Sequence, residues 1–313
     1  MARAFVFPGQ GSQAVGMGRD LAEAMVPARH VFEEVDEALK QNLTRLMFEG
    51  PEDDLTLTEN AQPALMAVSL AVVRVLEEEG GIDLASMAEF VAGHSLGEYS
   101  ALAAARAIGL ADAARLLKVR GRAMQRAVPV GEGAMAALLG LDLEAAREVA
   151  GAAAGDEVCA VANDNAEGQV VVSGHRAAVE RAIALAKERG ARRSVLLPVS
   201  APFHCPLMAP AADEMAEALA EVTIAPPVVP LVANVTAAEV SDPATIRRLL
   251  VEQITGMVRW RESVIRLRDK GVDTLVEAGA GTVLTGLARR IDRGLSARSL
   301  RTPADIEAFA REL

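Results

Sequence analysis

Cysteine is scarce in this chain of 313 residues: Cys159 and Cys205 alone make neither a disulfide framework nor a zinc-binding pattern. Cys205 adjoins His204, yet a buried or incidental thiol is the plainer reading of it. Long hydrophobic runs are missing too. The chain is 51% hydrophobic, but no apolar run comes near the ~20 residues a membrane span needs. The N-terminal apolar stretch is broken by Pro8, Gly9 and Gly11 before a signal-peptide core could form. Basic excess is the third absence. With 32 Lys and Arg against 43 Asp and Glu, the net charge is −11, which argues against a nucleic-acid binder. These exclusions point to a cytoplasmic protein without membrane or nucleic-acid partners, long enough for one large domain or two modest ones. Two arginine clusters, Arg189/Arg192/Arg193 and Arg289/Arg290/Arg293, remain available to an acidic partner or to solvent.

What is present is organised around Gly93-His94-Ser95-Leu96-Gly97. A short apolar run ends at Gly93, Ser95 falls on the turn, and an alanine-rich helix follows. This is the G-x-S-x-G pattern of a nucleophile elbow, which needs a strand before it and a helix after it. Glycine at both flanks lets neighbouring backbone approach closely. The helix start aims backbone N–H groups at any oxyanion formed beside Ser95. A tight turn without chemistry is the alternative, and the strand–helix context favours the elbow.

Residues 3–7 read as a buried strand. Gly9, Gly11 and Ala14 after it could pass for a dinucleotide fingerprint. That motif wants a second strand ending in an acid about 20 residues on, and residues 28–35 have helical spacing instead. A glycine turn here would rather place backbone donors near Ser95. Helices are expected over 62–79, from Ser95 to about 108, and over 111–127. In the last, Ala113, Leu116, Leu117, Met124 and Ala127 form an apolar stripe that contains Arg120. An inward arginine is costly unless an anion meets it. It either snorkels, pairs with a structural carboxylate, or serves a substrate carboxylate.

Residues 128–198 change rhythm. Strands 134–139, 157–162, 169–173 and 193–199 with helices 142–153 and 175–189 give a ferredoxin-like β-α-β-β-α-β order. The expected architecture is α/β, a core of mainly parallel strands (1–127 and 199–313) interrupted by a ferredoxin-like α+β subdomain (128–198). Asn163-Asp164-Asn165 is expected on a turn between two of its strands. Beyond it, Pro202 and Pro206 bracket His204 on a stiff loop. Of the four histidines, His30 falls in a helix, His175 starts one, and His94 flanks the serine. His204 is the best base for Ser95. His94 and Glu98 have metal-ligand spacing with no third ligand, so no metal site is expected. After strand 229–233 and Asn234, the pattern continues with helices 243–255 and 260–270, strand 273–277, a helix to about 290 and a charged tail helix.

With Gly9-Gln10-Gly11-Ser12-Gln13, Gly93-His94-Ser95-Leu96-Gly97-Glu98 and Phe203-His204 in place, the chain resembles the malonyl-CoA:acyl carrier protein transacylases of bacterial type II fatty acid synthesis. The resemblance runs nearly end to end and takes in Arg120, Asn163 and Gln253. It implies a hydrolase-like α/β core, with Ser95 as nucleophile, His204 as general base, and the Gln253 segment orienting the histidine by an amide or a backbone carbonyl. It implies backbone N–H groups of Gln10 and Leu96 as the oxyanion hole and Arg120 as the grip on the malonyl carboxylate. Asn163 and Phe203 fall at substrate-binding positions, Phe203 matching the bulky residue of malonyl-selecting relatives. No resident cofactor is implied, since CoA and phosphopantetheine arrive with the substrates, malonyl-CoA and acyl carrier protein. A standalone monomer is expected. A serine thioesterase or esterase, an acyltransferase serving a polyketide carrier, and a non-enzymatic carrier-binding protein are the alternatives.

Overall fold

The computed structural model describes residues 2–312. Ten strands occur among them: β1 (Arg3–Phe7), β2 (Phe90–Gly93), β3 (Gly133–Leu139), β4 (Cys159–Ala166), β5 (Gln169–His175), β6 (Arg193–Leu196), β7 (Leu231–Val232), β8 (Glu239–Val240), β9 (Thr274–Ala278) and β10 (Ser296–Leu300). Six of them form one sheet in the order β10-β9-β1-β2-β7-β8, parallel throughout except for β8. β1 is apolar and buried from Ala4 to Phe7 because both faces of the sheet are covered. Phe5 and Phe7 point into the main core, Ala4 and Val6 into a second cluster around Trp260 on the other face. The helix Thr58–Glu78 is buried on nearly every side and packs with the helix Leu110–Ala127 in the main core.

The remaining four strands make an antiparallel sheet in the order β4-β5-β3-β6. Helices Leu143–Ala154 and Arg176–Glu188 cover one face of it through a separate cluster of small apolar side chains. Its other face sends Met135 and Val171 into the main core. The fold is thus α/β with a mostly parallel sheet and a second, antiparallel sheet, as expected. Among the described residues no helix is long and apolar enough to cross a membrane.

Several boundaries differ from the expectation. The helix after Ser95 spans Gly97–Ala104 and stops short of 108. Arg106 takes φ 60°, while its N–H bonds to Ala103 O and that of Ala107 to Leu102 O, a Schellman closure without glycine. Asn163, Asp164 and Asn165 lie inside β4, not on a turn; the turn is Glu167-Gly168. Two register shifts there let β4 also bridge to Val258. β6 ends at Leu196 rather than 199. β10, a half-exposed edge strand of Ser, Ala and Arg that ends in the buried Leu300, precedes the tail helix Pro303–Arg311. The buried helix begins at Thr58 rather than 62, with Pro63 inside its second turn.

Parallel strands place their following loops together at one edge of the sheet, the usual place for a site. Gln10 follows β1, Ser95 follows β2 and Asn234 follows β7.

Candidate active site

Ser95 stands between β2 and the helix Gly97–Ala104 at φ 54°, a left-handed conformation that costs a side-chain-bearing residue roughly 1–2 kcal/mol. The flanking glycines make the bend possible. A Cβ on Gly93 would lie 1.9 Å from the backbone of Gly97, and one on Gly97 2.2 Å from the carbonyl oxygen of Phe7. Asn234 holds the strained turn from the neighbouring strand. Its Oδ1 accepts from the Ser95 N–H at 2.8 Å and its Nδ2 donates to the Gly93 carbonyl at 2.6 Å.

His204, on its proline-bracketed loop, is buried and also left-handed at φ 57°. Its Nε2 lies 2.8 Å from Ser95 Oγ, and its Nδ1 lies 2.8 Å from the backbone carbonyl of Gln253. The carbonyl can only accept, so Nδ1 carries the proton and Nε2 is free to take one from the serine. Burial, and then the nearby Arg120 charge, push the His204 pKa down to about 3. The imidazole is therefore neutral, as a base must be.

Arg120 reaches the same point from the helix Leu110–Ala127 and is 1% exposed. Its Nη1 donates to Gln62 Oε1 at 2.8 Å, and its Nη2 to Gln253 Oε1 at 2.8 Å and to Ser95 Oγ at 3.2 Å. Its Nε–H has no partner among the described residues, and the guanidinium lies over the ring of Tyr99, 5.7 Å from the centroid. Among the described residues no carboxylate touches it; Glu98 is reached through Gln253, whose Nε2 donates to Glu98 Oε2 at 2.8 Å. A buried fork satisfied only by neutral oxygens is electrostatically short of one anion. Glu98 itself is pushed up to about 7 by burial, against the hydrogen bonds from Gln253 and the Asn234 N–H and the charge of Arg120.

The three groups face a cavity of about 750 Å³ between the two sheets. Gln10, Leu96, Asn163 and Phe203 line it as well, so seven of the eight anticipated residues meet there, and Gln253 stands directly behind His204 and Arg120. The backbone amides of Gln10 and Leu96 have no acceptor among the described residues. The His94–Glu98 spacing does not gather ligands: His94 Nε2 pairs with Asn165 Oδ1 at 2.8 Å, whereas Glu98 turns to Gln253 and Asn234. Gln62, Asn234 and the structural part played by Glu98 escaped the sequence reading. Asn234 had one usable signal, its position directly after a short apolar strand.

A neutral histidine on a strained serine, spare backbone donors and an unpaired buried cation, set at the edge of a parallel sheet, make an acyl-transfer apparatus. The protein is of that class: residues 4–299 match the acyl transferase domain family. The chain is 45% identical over 311 residues to the malonyl CoA-acyl carrier protein transacylase of Bacillus subtilis, covering 99% of this chain and 96% of the relative. The solved acyl-carrier-protein-S-malonyltransferase from Bartonella henselae is 56% identical with TM-score 0.97, covering 100% of this chain and 99% of that one. A malonyl-transacylase solved in complex with its type II polyketide acyl-carrier protein is 42% identical, with TM-score 0.97 and full coverage of both chains. The chain belongs to the malonyl-CoA:acyl carrier protein transacylase family.

Proposed function

We propose that the chain transfers malonyl from malonyl-CoA to the phosphopantetheine thiol of acyl carrier protein through an ester on Ser95, supplying extender units for fatty acid synthesis. The observation that carries this reading is the buried Arg120, which lacks a carboxylate and lies 3.2 Å from Ser95 Oγ. A malonyl group has the missing carboxylate at one end and the reacting carbonyl at the other.

In the first half-reaction Ser95 Oγ attacks the thioester carbon while His204 Nε2 takes its proton. The Gln10 and Leu96 N–H groups receive the developing oxyanion. Collapse breaks the C–S bond, and the CoA sulfur leaves with the proton from His204. In the second, His204 takes the proton of the pantetheine thiol, whose sulfur attacks the ester; Ser95 Oγ leaves and regains the proton. The Gln253 carbonyl keeps the imidazole in the required tautomer. Phe203 and Asn163 bound the space beside the acyl group, favouring malonyl over its methyl homologue. The thiols of CoA and pantetheine belong to the substrates, so no resident cofactor enters these steps.

We also assign 128–198 as an inserted subdomain and the remainder as the core, supported by the separate apolar cluster under the antiparallel sheet. A cytoplasmic setting suits the free, buried Cys159 and Cys205. The experiment is a pulse of malonyl-CoA followed by intact-mass and peptide mapping, then a chase with pantetheinylated carrier protein. One malonyl on Ser95, passed to the carrier and absent in Ser95→Ala, is the expected result. Free malonate released faster than carrier is loaded would make the protein a thioesterase instead. A polyketide carrier, of the kind bound by the solved relative, run beside a fatty acid carrier distinguishes the two pathways.

A further inference from the structure

Arg120 can only donate, and this fixes the direction of a hydrogen-bond chain leading away from it. Its Nη1 occupies Gln62 Oε1, so the Gln62 amide turns its Nε2 the other way. That Nε2 donates to Thr58 Oγ1 at 2.8 Å. A threonine hydroxyl has one proton. With its oxygen accepting from Gln62, the proton goes to Gln10 Oε1, 2.9 Å away. Arg120, Gln62 and Thr58 are each 1% exposed, so solvent does not compete for the Arg120–Gln62 and Gln62–Thr58 bonds, whereas the last, to Gln10, is half-buried at the cavity wall.

Gln10, Gln62 and Arg120 line the cavity, whereas Thr58 stands behind them at the start of its helix. The helix carrying Arg120 is pressed onto this point. A Cβ on Gly121 would lie 2.7 Å from the Thr58 carbonyl oxygen and 2.4 Å from Glu59 Cα. Glu59, the next residue, is gripped by Lys118 at 2.9 Å and Arg122 at 2.8 Å.

We infer that Thr58 is a positioning residue that couples the carboxylate-binding end of the cavity to the oxyanion loop. The inference rests on the roles given above to Arg120 and Gln10. Arg120 orients Gln62, Gln62 orients the Thr58 hydroxyl, and the hydroxyl anchors the Gln10 side chain, so the Gln10 amide is held where the oxyanion forms. Thr58 touches no substrate. Its effect belongs in the transition state, not in binding.

The test compares Thr58→Val, which keeps the shape and removes the hydroxyl, with Thr58→Ser, which keeps the hydroxyl. For malonyl transfer to carrier protein, kcat of Thr58→Val falls about tenfold, the cost of a modestly misplaced transition-state donor. KM for malonyl-CoA moves by less than about threefold, and Thr58→Ser recovers most of the loss. On the residual activity of Arg120→Ala, the Thr58→Val penalty shrinks to about twofold, because the chain has lost its fixed origin. Equal penalties in both backgrounds, or Thr58→Ser as slow as Thr58→Val, would overturn the coupling. Arg120→Ala with its preference for malonyl over acetyl intact would overturn the reading of Arg120, and the coupling with it. If melting curves show Thr58→Val unfolded, Thr58→Ala against Thr58→Ser gives the same comparison.

Discussion

The helix Leu110–Ala127 buries two bases by opposite arrangements. Around Lys118 the charge is matched: the ammonium lies 2.9 Å from Glu59 and 2.8 Å from Asn60 Oδ1. Around Arg120, two residues further on, the side chain is more deeply buried, and its hydrogen-bond acceptors among the described residues are two glutamine oxygens and a serine, with the Tyr99 ring against the guanidinium. Burial alone therefore does not mark a functional charge. A buried cation with its own carboxylate is a fastening between helices. One whose hydrogen bonds all go to neutral acceptors keeps its net charge for something that arrives from outside.

The comparison can be broken by giving Arg120 a permanent partner. Gln62→Glu places a carboxylate at the oxygen that already accepts from Nη1. kcat/KM for malonyl-CoA should then fall about a hundredfold, as expected when a buried charge pair with substrate is pre-empted, while the melting temperature holds or rises. Arg120→Lys retains the charge and loses the planar fork. Steady-state kinetics should show a loss of about tenfold or more in kcat/KM, with weaker discrimination against acetyl-CoA. The converse change, Glu59→Gln, strips Lys118 of its carboxylate. It should cost about 1–2 kcal/mol in denaturant unfolding, less than a fully buried pair because Glu59 is partly exposed, with malonyl kinetics within about twofold.

Glu98 sharpens the contrast from the acidic side. Its pKa is raised from 4.5 to about 7 by burial, so between those values the folded protein holds a proton that the unfolded chain has released. Ionising Glu98 thus costs stability as pH rises through that window. His204 works the other way: below 6.5 the unfolded chain gains a proton that the folded histidine refuses until about pH 3. Subtracting Glu98→Gln from wild type isolates the carboxyl. Its melting temperature should gain on wild type from about pH 4.5 to about pH 7 and hold that gain above. An unchanged difference across the window would show Glu98 to be ionised throughout.

Much of this site was legible as violated local rules. A serine between two glycines, a histidine between two prolines and an arginine within an apolar stripe each stand out without a structure, and the fold brings them to 2.8 and 3.2 Å. The second sheet was equally plain from its alternating strands and helices. Residues that act by holding others carry no such mark. Thr58 and Gln62 look ordinary, and Pro63 makes the helix seem to start too late to include Thr58. Asn234 and Glu98 acquire their parts only when β7 is laid beside β2, a contact between residues far apart in the chain. Asn163 was misplaced on a turn because its polar neighbours imitate one, whereas the bulged β4 uses Asp164 for an ion pair with Arg261 at 2.9 Å. Arg106 ends its helix in a conformation that glycine normally signals.

The central claim is that the anion missing from Arg120 is the carboxylate of the acyl group. The most direct measurement is the ratio of kcat/KM for malonyl-CoA to that for acetyl-CoA, in wild type and in Arg120→Ala. The account predicts a ratio far above one that collapses in the variant by about a hundredfold or more, through loss of the malonyl reaction with acetyl transfer little changed. An equal fall in both reactions, leaving the ratio as it was, would contradict it and reduce Arg120 to a prop for Ser95 and Gln253.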